Sequence, residues 1–162
     1  AGTLSIMVGG STEAFDLAYE HFSKMGANIK HMGPTGAGTA MKLINQLLVG
    51  VNTIAAAEAF ALANSAAVDI QIAADLLGVS WGGSTMVERN APITVKRDFP
   101  DSAAPLRLIY KDLGIIDNLA EAEGLSLTMA KNAFDMYDTM MKQNKTEHDI
   151  SGVLELIEER SN

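Results

Sequence analysis

The sequence contains no cysteine, few aromatic residues, and fewer basic than acidic side chains. Without cysteine there is no disulfide framework and no cysteine-based metal site, a composition compatible with a cytoplasmic protein. Twelve Lys and Arg against 20 Asp and Glu give a formal net charge of −8. That charge argues against nucleic acid as the main partner, because phosphate binding needs a basic surface. No stretch approaches about 18 uninterrupted apolar residues, so no membrane partner or membrane span is predicted.

Hydrophobic residues make up 48% of the chain and are mostly aliphatic, which favours helices. The length of 162 residues fits one domain, or one domain plus part of another. The chain nevertheless begins with a pattern of strand, helix and strand. Strands are predicted over residues 3–8, buried on both faces, and 27–32. The helix between them is expected to be capped by Ser11 or Thr12 and ended by Gly26 as its C′ residue. Because two strands do not form a stable sheet alone, this β-α-β unit is expected to complete a larger sheet.

After a glycine-rich junction over residues 33–38, the apolar spacing changes to about 3.6 residues, which predicts helices to the end of the chain. The first is long and covers 39–65. The predicted segments that follow are helices over 69–77 and 84–90, a loop over 91–104 with Pro92 and Pro100, a helix from Pro105 to Glu123 ended by Gly124, a helix to 143 capped by Ser126, and a last helix to 159 opened by Asp149 or Ser151. The fold class is therefore mainly α.

Polar residues interrupt the apolar pattern near the start of the long helix. Asn45 and Gln46 follow Lys42 by three and four residues, so all three share one helix face, and Asn52 and Thr53 fall near that face further along. Most stripes of this kind are the solvated face of a helix. If this one lines a site, its glycine-flanked helix start suits a small carboxylate that also carries a hydroxyl or carbonyl group.

The run GPTGAGTAMKLINQLLVG followed by AAAEAFALA resembles the opening of the C-terminal domain of the β-hydroxyacid dehydrogenases, which include 3-hydroxyisobutyrate, tartronate semialdehyde and L-threonate enzymes. GTLSIMVGG resembles the end of that family's nucleotide-binding domain, and the sequence from Tyr110 to Gly114 resembles its KDLG element. The resemblance implies a truncated Rossmann-type domain over residues 1–33. It also implies an all-helical substrate and oligomerisation domain, built on the long helix, over residues 34–162.

The resemblance implies a role for five residues. Lys42 would be the catalytic lysine that exchanges a proton with the hydroxyl of a small β-hydroxy acid. Asn45 and Gln46 would bind substrate, although most of the family has Asn where this chain has Gln46. Gly36 and Lys111 would contact the cofactor, NAD or NADP. The family pattern further implies a homodimer or homotetramer, and it leaves open which β-hydroxy acid is used and in which direction.

Other candidates are weaker. The three histidines, His21, His31 and His148, lack metal-ligand spacing and are interpreted as structural or exposed, and no metal site is predicted. Trp81 is expected either at the edge of a substrate cleft or in ordinary packing. The family's glycine-rich nucleotide fingerprint would precede Ala1, so the isolated chain is expected to be inactive. The alternative function is a stand-alone helical module that dimerises or binds a partner without catalysis.

Overall fold

The computed structural model describes residues 4–100 and 102–160. It divides into two compact units, residues 1–45 and 46–162. The predicted domain boundary at 33/34 marks the change of periodicity, whereas the unit boundary falls inside the long helix. The domain boundary therefore stays a prediction.

The first unit begins with a parallel two-stranded sheet, β1 (Ser5–Gly9) and β2 (Asn28–Gly33), joined through helix α1 (Thr12–Ser23). This confirms the β-α-β pattern; the predicted first residue of β1, Thr3, lies outside the described residues. The side chains of β1 are partly or largely exposed, so the expectation of a strand buried on both faces is wrong for this chain. A two-stranded sheet covered by one amphipathic helix has too little material to bury both faces.

Ser11 caps α1 as predicted, since its hydroxyl accepts a hydrogen bond of 3.2 Å from the backbone N–H of Ala14. Gly26, in contrast, is not the C′ residue of the helix: α1 ends at Ser23 and its C-cap is Lys24, so Met25 holds the C′ position. A Cβ at Gly26 would lie 2.2 Å from the carbonyl oxygen of Leu4. The glycine is needed because the chain passes this close to the backbone before β1.

Helix α2 (Ala37–Ser65) contributes to both units, and the second unit continues with five further α-helices and one 3₁₀ turn in its described residues. The helices are α3 (Ile70–Gly78), α4 (Thr85–Lys96), α5 (Leu106–Ala122), α6 (Thr128–Lys142) and, after a 3₁₀ turn (Ile150–Gly152), α7 (Val153–Glu159). The mainly α fold class is confirmed. Packing pairs α3 with α4, α5 with α6, and α6 with α7.

The core of the second unit consists of side chains that are almost fully buried, namely Phe60, Phe99, Leu106, Leu113, Tyr137, Met140, Val153 and Leu154. Burial of each large side chain contributes about 1.5–3 kcal/mol. Gly50 allows close packing here, because a Cβ at Gly50 would lie 3.1 Å from Leu113 Cδ1. Burial raises the pKa of the Tyr137 hydroxyl, which donates to the carbonyl oxygen of Ile150.

Two further helix predictions were wrong. Helix α4 runs through Pro92 to Lys96, although the sequence predicted a loop from residue 91. Proline removes one backbone hydrogen bond, but Ala91 and Thr94 are buried, and this packing holds the segment helical. Ser126 does not cap α6, whose N-cap is Leu127 without a side-chain capping bond. Asp149, predicted to open the last helix, caps the 3₁₀ turn before α7, and Gly124, predicted to end α5, follows its C-cap with φ of 67°. Asp69 and Ser84 cap α3 and α4 through their side chains.

Helix α2 is long and apolar enough to cross a membrane, judged by length and composition alone. An 18-residue window within it has a mean hydropathy of 1.5, and 33% of that window is buried. The sequence contains no uninterrupted apolar run of this length. The small and amide residues that interrupt the apolar ones are too few to lower the mean hydropathy much. Core helices pass the same test, so the expected lack of a membrane partner stays a prediction.

Candidate functional site

The start of α2 is built on a tight glycine turn. Gly36 has φ of 95°, a left-handed conformation that side-chain-bearing residues rarely adopt, and its carbonyl accepts a hydrogen bond of 2.9 Å from the N–H of Ala40. Apart from Gly36 itself and its two chain neighbours, no heavy atom of the described residues lies within 4 Å of where a Cβ would be placed on Gly36. The backbone here is therefore open to another molecule.

Two neighbouring glycines have a packing role. A Cβ on Gly38 would lie 2.4 Å from the carbonyl oxygen of Met7, and one on Gly9 would lie 2.8 Å from that of Pro34. Both distances are shorter than side-chain-bearing residues allow, so the start of α2 can approach β1 only because these positions are glycine. Gly38 thus needs no ligand to explain it.

Lys42, Asn45 and Gln46, which we call the site segment, lie in the first three turns of α2. Their spacing of three and four residues places them on one helix face. Lys42 and Asn45 are exposed and Gln46 is half-buried. The site segment therefore presents an ammonium group and two amides from one face of a regular helix.

Gln46 and Lys111, predicted separately from different helices, are joined by a residue that the sequence interpretation passed over. The Nε2 atom of Gln46 donates to Asp112 Oδ2 at 2.9 Å, and Lys111 Nζ forms an ion pair of 2.9 Å with Asp112 Oδ1. The Asp112 side chain is 6% exposed, whereas that of Lys111 is 60% exposed. Asp112 thus holds the Gln46 amide in one orientation. Its position beside Lys111 in KDLG was the signal that could have identified it.

The far end of the predicted polar stripe belongs to the core. Thr53 is fully buried, and its hydroxyl accepts a hydrogen bond of 3.4 Å from Asn90 Nδ2. A hydroxyl in this position satisfies a buried amide that would otherwise cost free energy. Thr53 is therefore explained by packing, although it lies near the same helix face as Lys42.

A second polar group, absent from the sequence interpretation, surrounds Asp149. Arg89 donates to both Asp149 oxygens, at 2.5 and 2.6 Å, and the hydroxyls of Ser102 and Ser151 donate at 2.5 and 2.6 Å. We call these four residues the Arg89 cluster. Burial by itself would raise the pKa of the Asp149 carboxyl, but the bonds from Arg89, Ser102 and Ser151 hold the pKa below its ordinary value. Residues so far apart in sequence give no periodic signal.

The remaining candidates do not form a site. His31 stacks on Phe15 with ring centroids 5.0 Å apart and lies 2.8 Å from the carbonyl oxygen of Gly10, in line with a structural role. His148 lies 3.9 Å from Glu155. Trp81 is fully exposed, which excludes ordinary packing within this chain. Within residues 4–100 and 102–160 no group of three or more His, Cys, Asp or Glu side chains is placed to hold a metal ion.

Two family models match the chain. Residues 36–157 match the NAD-binding domain of NADP-dependent 3-hydroxyisobutyrate dehydrogenase, and residues 1–33 match the NAD-binding domain of 6-phosphogluconate dehydrogenase. The first match covers the site segment, Asp112 and the Arg89 cluster. The two models meet near the glycine turn.

Curated relatives agree with these matches. An NAD-dependent L-serine dehydrogenase from Pseudomonas aeruginosa is 36% identical over 98% of this chain, which covers 55% of that protein. A 2-(hydroxymethyl)glutarate dehydrogenase from Eubacterium barkeri is 31% identical over 98% of the chain and 53% of its own length. The chain spans about half the length of the curated relatives it matches.

A solved structure has the same fold. A 3-hydroxyisobutyrate dehydrogenase from Salmonella typhimurium superposes with a TM-score of 0.89 at 30% identity, covering 96% of this chain and 54% of that one. The mycobacterial 3-hydroxyisobutyrate dehydrogenase with L-serine gives 0.87 at 29% identity, with 96% and 55% covered. Both the arrangement of helices and the sequence thus point to the same group of proteins.

Proposed function

Because the chain belongs to the 3-hydroxyisobutyrate dehydrogenase family, we propose that it forms the C-terminal part of an NAD(P)-dependent oxidoreductase. The substrate is a small β-hydroxy acid, and the product is the semialdehyde or keto acid. The named relatives support this substrate class, since L-serine and 2-(hydroxymethyl)glutarate both carry a hydroxyl group β to a carboxylate. Residues 1–33 would belong to the nucleotide-binding domain and residues 34–162 to a helical substrate domain.

The single observation that carries the mechanism is the exposed Lys42 on the first turns of α2, with two amides on its face. In the proposed reaction the substrate hydroxyl gives its proton to the Nζ atom of Lys42, and the C–H bond at the same carbon breaks. When bound, NAD(P)⁺ would supply the acceptor for the hydride of that C–H bond. Oxidation of the alcohol thus releases one hydride and one proton, and reduction reverses both transfers.

The amides and Lys111 have positioning roles in this proposal. Asn45 and Gln46 hydrogen-bond the polar groups of the substrate, and Asp112 keeps the Gln46 amide fixed through its bond of 2.9 Å. Lys111 provides a positive charge near the cofactor and substrate. The open space at the Gly36 backbone fits the close approach of a cofactor, NAD or NADP.

A homodimer or homotetramer is the proposed assembly. Large apolar side chains on α2, α3 and the loop after α3 are strongly exposed in this chain, namely Leu62, Ile72, Leu76, Val79 and Trp81. A second copy of the chain could cover these exposed apolar side chains, which is the reason for proposing an assembly. Light scattering behind size-exclusion chromatography should give a mass of at least two chains, and a monomer at micromolar concentration would contradict the assembly.

The proposed location is the cytoplasm, and nucleic acid is not expected to be a partner. The lack of cysteine favours a cytoplasmic protein. The net charge of −8 is the reason to expect no nucleic-acid partner. Cell fractionation of the native host, with the protein detected by antibody, tests the location directly.

The alternative, a helical module without catalysis, uses the same exposed apolar side chains. It needs neither an exposed Lys42 nor the bond between Gln46 and Asp112. The two functions differ in what a mutation at Lys42 does, because a module that only binds a partner would be unaffected.

The deciding experiment replaces Lys42 with Ala in the full-length parent protein. We expect kcat to fall about 10²–10⁴-fold, the range for loss of a general acid or base, with cofactor affinity and thermal unfolding nearly unchanged. The matched control is Lys24→Ala, since Lys24 is an exposed lysine on α1 paired only with Glu20 among the interactions described. Added methylamine should restore part of the lost rate in the Lys42→Ala variant. Unchanged turnover would reject the assignment of Lys42.

A further inference from the structure

The second unit contains a cavity of about 340 Å³ that the proposed mechanism does not use. Its walls include Gln46 and Val49 from α2, Met86 and Arg89 from α4, and Ala104 and Leu108 at the start of α5. The volume is within the range of small-molecule sites. Gln46 lies in its wall, so the cavity begins at a residue that the proposed function assigns to substrate binding.

Most of the wall is hydrocarbon, and the charge that it carries is already compensated. The cationic group among the six wall residues named is Arg89, and its charge is balanced by the fully buried carboxylate of Asp149. A second carboxylate brought into the cavity would have to be desolvated without a further positive charge to compensate it. The cavity therefore discriminates against an anionic group.

Arg89 nevertheless has N–H groups that could orient a bound ligand by hydrogen bonding. Of the five N–H groups of its guanidinium, three donate to Asn90 Oδ1 and to the two Asp149 oxygens. The Nε–H and one Nη2–H have no acceptor among the described residues. Because Asp149 holds the guanidinium plane in place, these two donors have a fixed orientation. A neutral acceptor such as an ether or carbonyl oxygen matches them.

We propose that this cavity is the specificity pocket of the enzyme and takes an uncharged, mainly apolar substituent of the β-hydroxy acid. The inference rests on the proposed function, because it places the reacting end of the substrate at the site segment. It adds the substrate class, a 3-hydroxy acid whose carbon 2 carries a substituent of about three to five heavy atoms. The cavity volume accommodates a substituent of this size.

The test uses the full-length parent and four 3-hydroxypropanoates that differ at carbon 2, which carries hydrogen, propyl, methoxyethyl or carboxyethyl. We expect kcat/KM for the propyl and methoxyethyl compounds to exceed that of the hydrogen compound about tenfold or more, the usual value of a filled apolar pocket. The carboxyethyl compound is 2-(hydroxymethyl)glutarate, which gives the relative from Eubacterium barkeri its name. This chain should use it less well than the propyl compound, because the second carboxylate would enter the cavity. Equal kcat/KM across the series, or preference for carboxyethyl, would overturn the proposal.

A cavity-filling variant makes the test specific. Ala104→Phe should remove the preference for propyl and methoxyethyl and leave the hydrogen compound within about threefold of wild type. Ala122→Phe is the control, because Ala122 is exposed at the end of α5 and outside the cavity wall. If the phenylalanine at position 104 prevents folding, Ala104→Leu fills part of the same volume. A preference unchanged in a folded Ala104 variant would also overturn the proposal.

The outcomes separate this inference from the function on which it rests. If no 3-hydroxypropanoate of the series is oxidised with either NAD or NADP, the proposed function fails. If the hydrogen compound is oxidised in a Lys42-dependent way but the substituents have no effect, the function stands and the pocket assignment alone is wrong.

Discussion

The site segment and the Arg89 cluster both consist of polar and charged side chains, yet they differ in burial. In the Arg89 cluster the Asp149 carboxylate has a side-chain exposure of 0% and accepts bonds from three side chains. In the site segment, Lys42 and Asn45 are exposed. Buried polar groups with full sets of partners hold a structure together, whereas exposed ones can serve a ligand. Loss of the first should reduce stability, and loss of the second should reduce activity.

The largest effect on stability is expected from Asp149→Ala. The change leaves Arg89 without its counterion and removes the acceptor for Ser102 and Ser151, which should cost about 3–5 kcal/mol of unfolding free energy. Because the Arg89 side chain is 31% exposed, water compensates part of the loss and the lower end is expected. Urea unfolding followed by circular dichroism measures the difference.

The control for that prediction is an ion pair that remains in solvent. Arg107 Nε lies 2.7 Å from Glu147 Oε1, with the two side chains 50% and 54% exposed. Arg107→Ala should cost less than about 1 kcal/mol, because exposed pairs contribute little. If the two variants lost equal stability, the distinction between a structural and an exposed polar group would not hold in this protein.

The next largest effect concerns the glycines beside the site segment. Gly38→Ala would bring a Cβ to 2.4 Å from the Met7 carbonyl oxygen, and backbone must move to relieve the contact. We expect a cost of about 1–3 kcal/mol, the range for overpacking, and faster amide exchange in β1. Gly82→Ala is the control, since its Cβ would lie 3.5 Å from Leu77 Cδ2, an ordinary contact. A stable Gly38→Ala variant with unchanged exchange would show that packing against β1 does not require this glycine.

Local sequence rules predicted the elements well where one residue determines the outcome. Ser11, Asp69 and Ser84 cap helices as their side chains indicate, and Gly124 ends α5 in a left-handed conformation. The rules failed where packing decides. Helix α4 continues through Pro92 because Ala91 and Thr94 are buried on either side of it, and no local pattern reports burial by a distant element.

The candidate site was predictable to the same limited degree. Helical spacing places Lys42, Asn45 and Gln46 on one face, which needs only the period of a helix. The partner of Gln46 is Asp112, 66 residues away, and the partner of Arg89 is Asp149, 60 residues away. Contacts over such distances depend on how helices pack, so a single sequence read locally does not contain them.

The smallest predicted effect follows from the lowered pKa of Asp149. In the folded chain this pKa lies below its ordinary value of 3.8, so folding favours the ionised carboxylate. The resulting stability is fully present above about pH 4–5, and it is lost as the pH falls through the unfolded and then the folded pKa. The urea midpoint of the wild type should therefore fall more between pH 6 and pH 3 than that of Asp149→Asn, which cannot ionise. Asp98→Asn, at an exposed aspartate, should keep the wild-type slope. If Asp149→Asn also kept the wild-type dependence of the urea midpoint on pH, the Arg89 cluster would not depend on the charge of Asp149. The cluster would then differ from the site segment in burial alone.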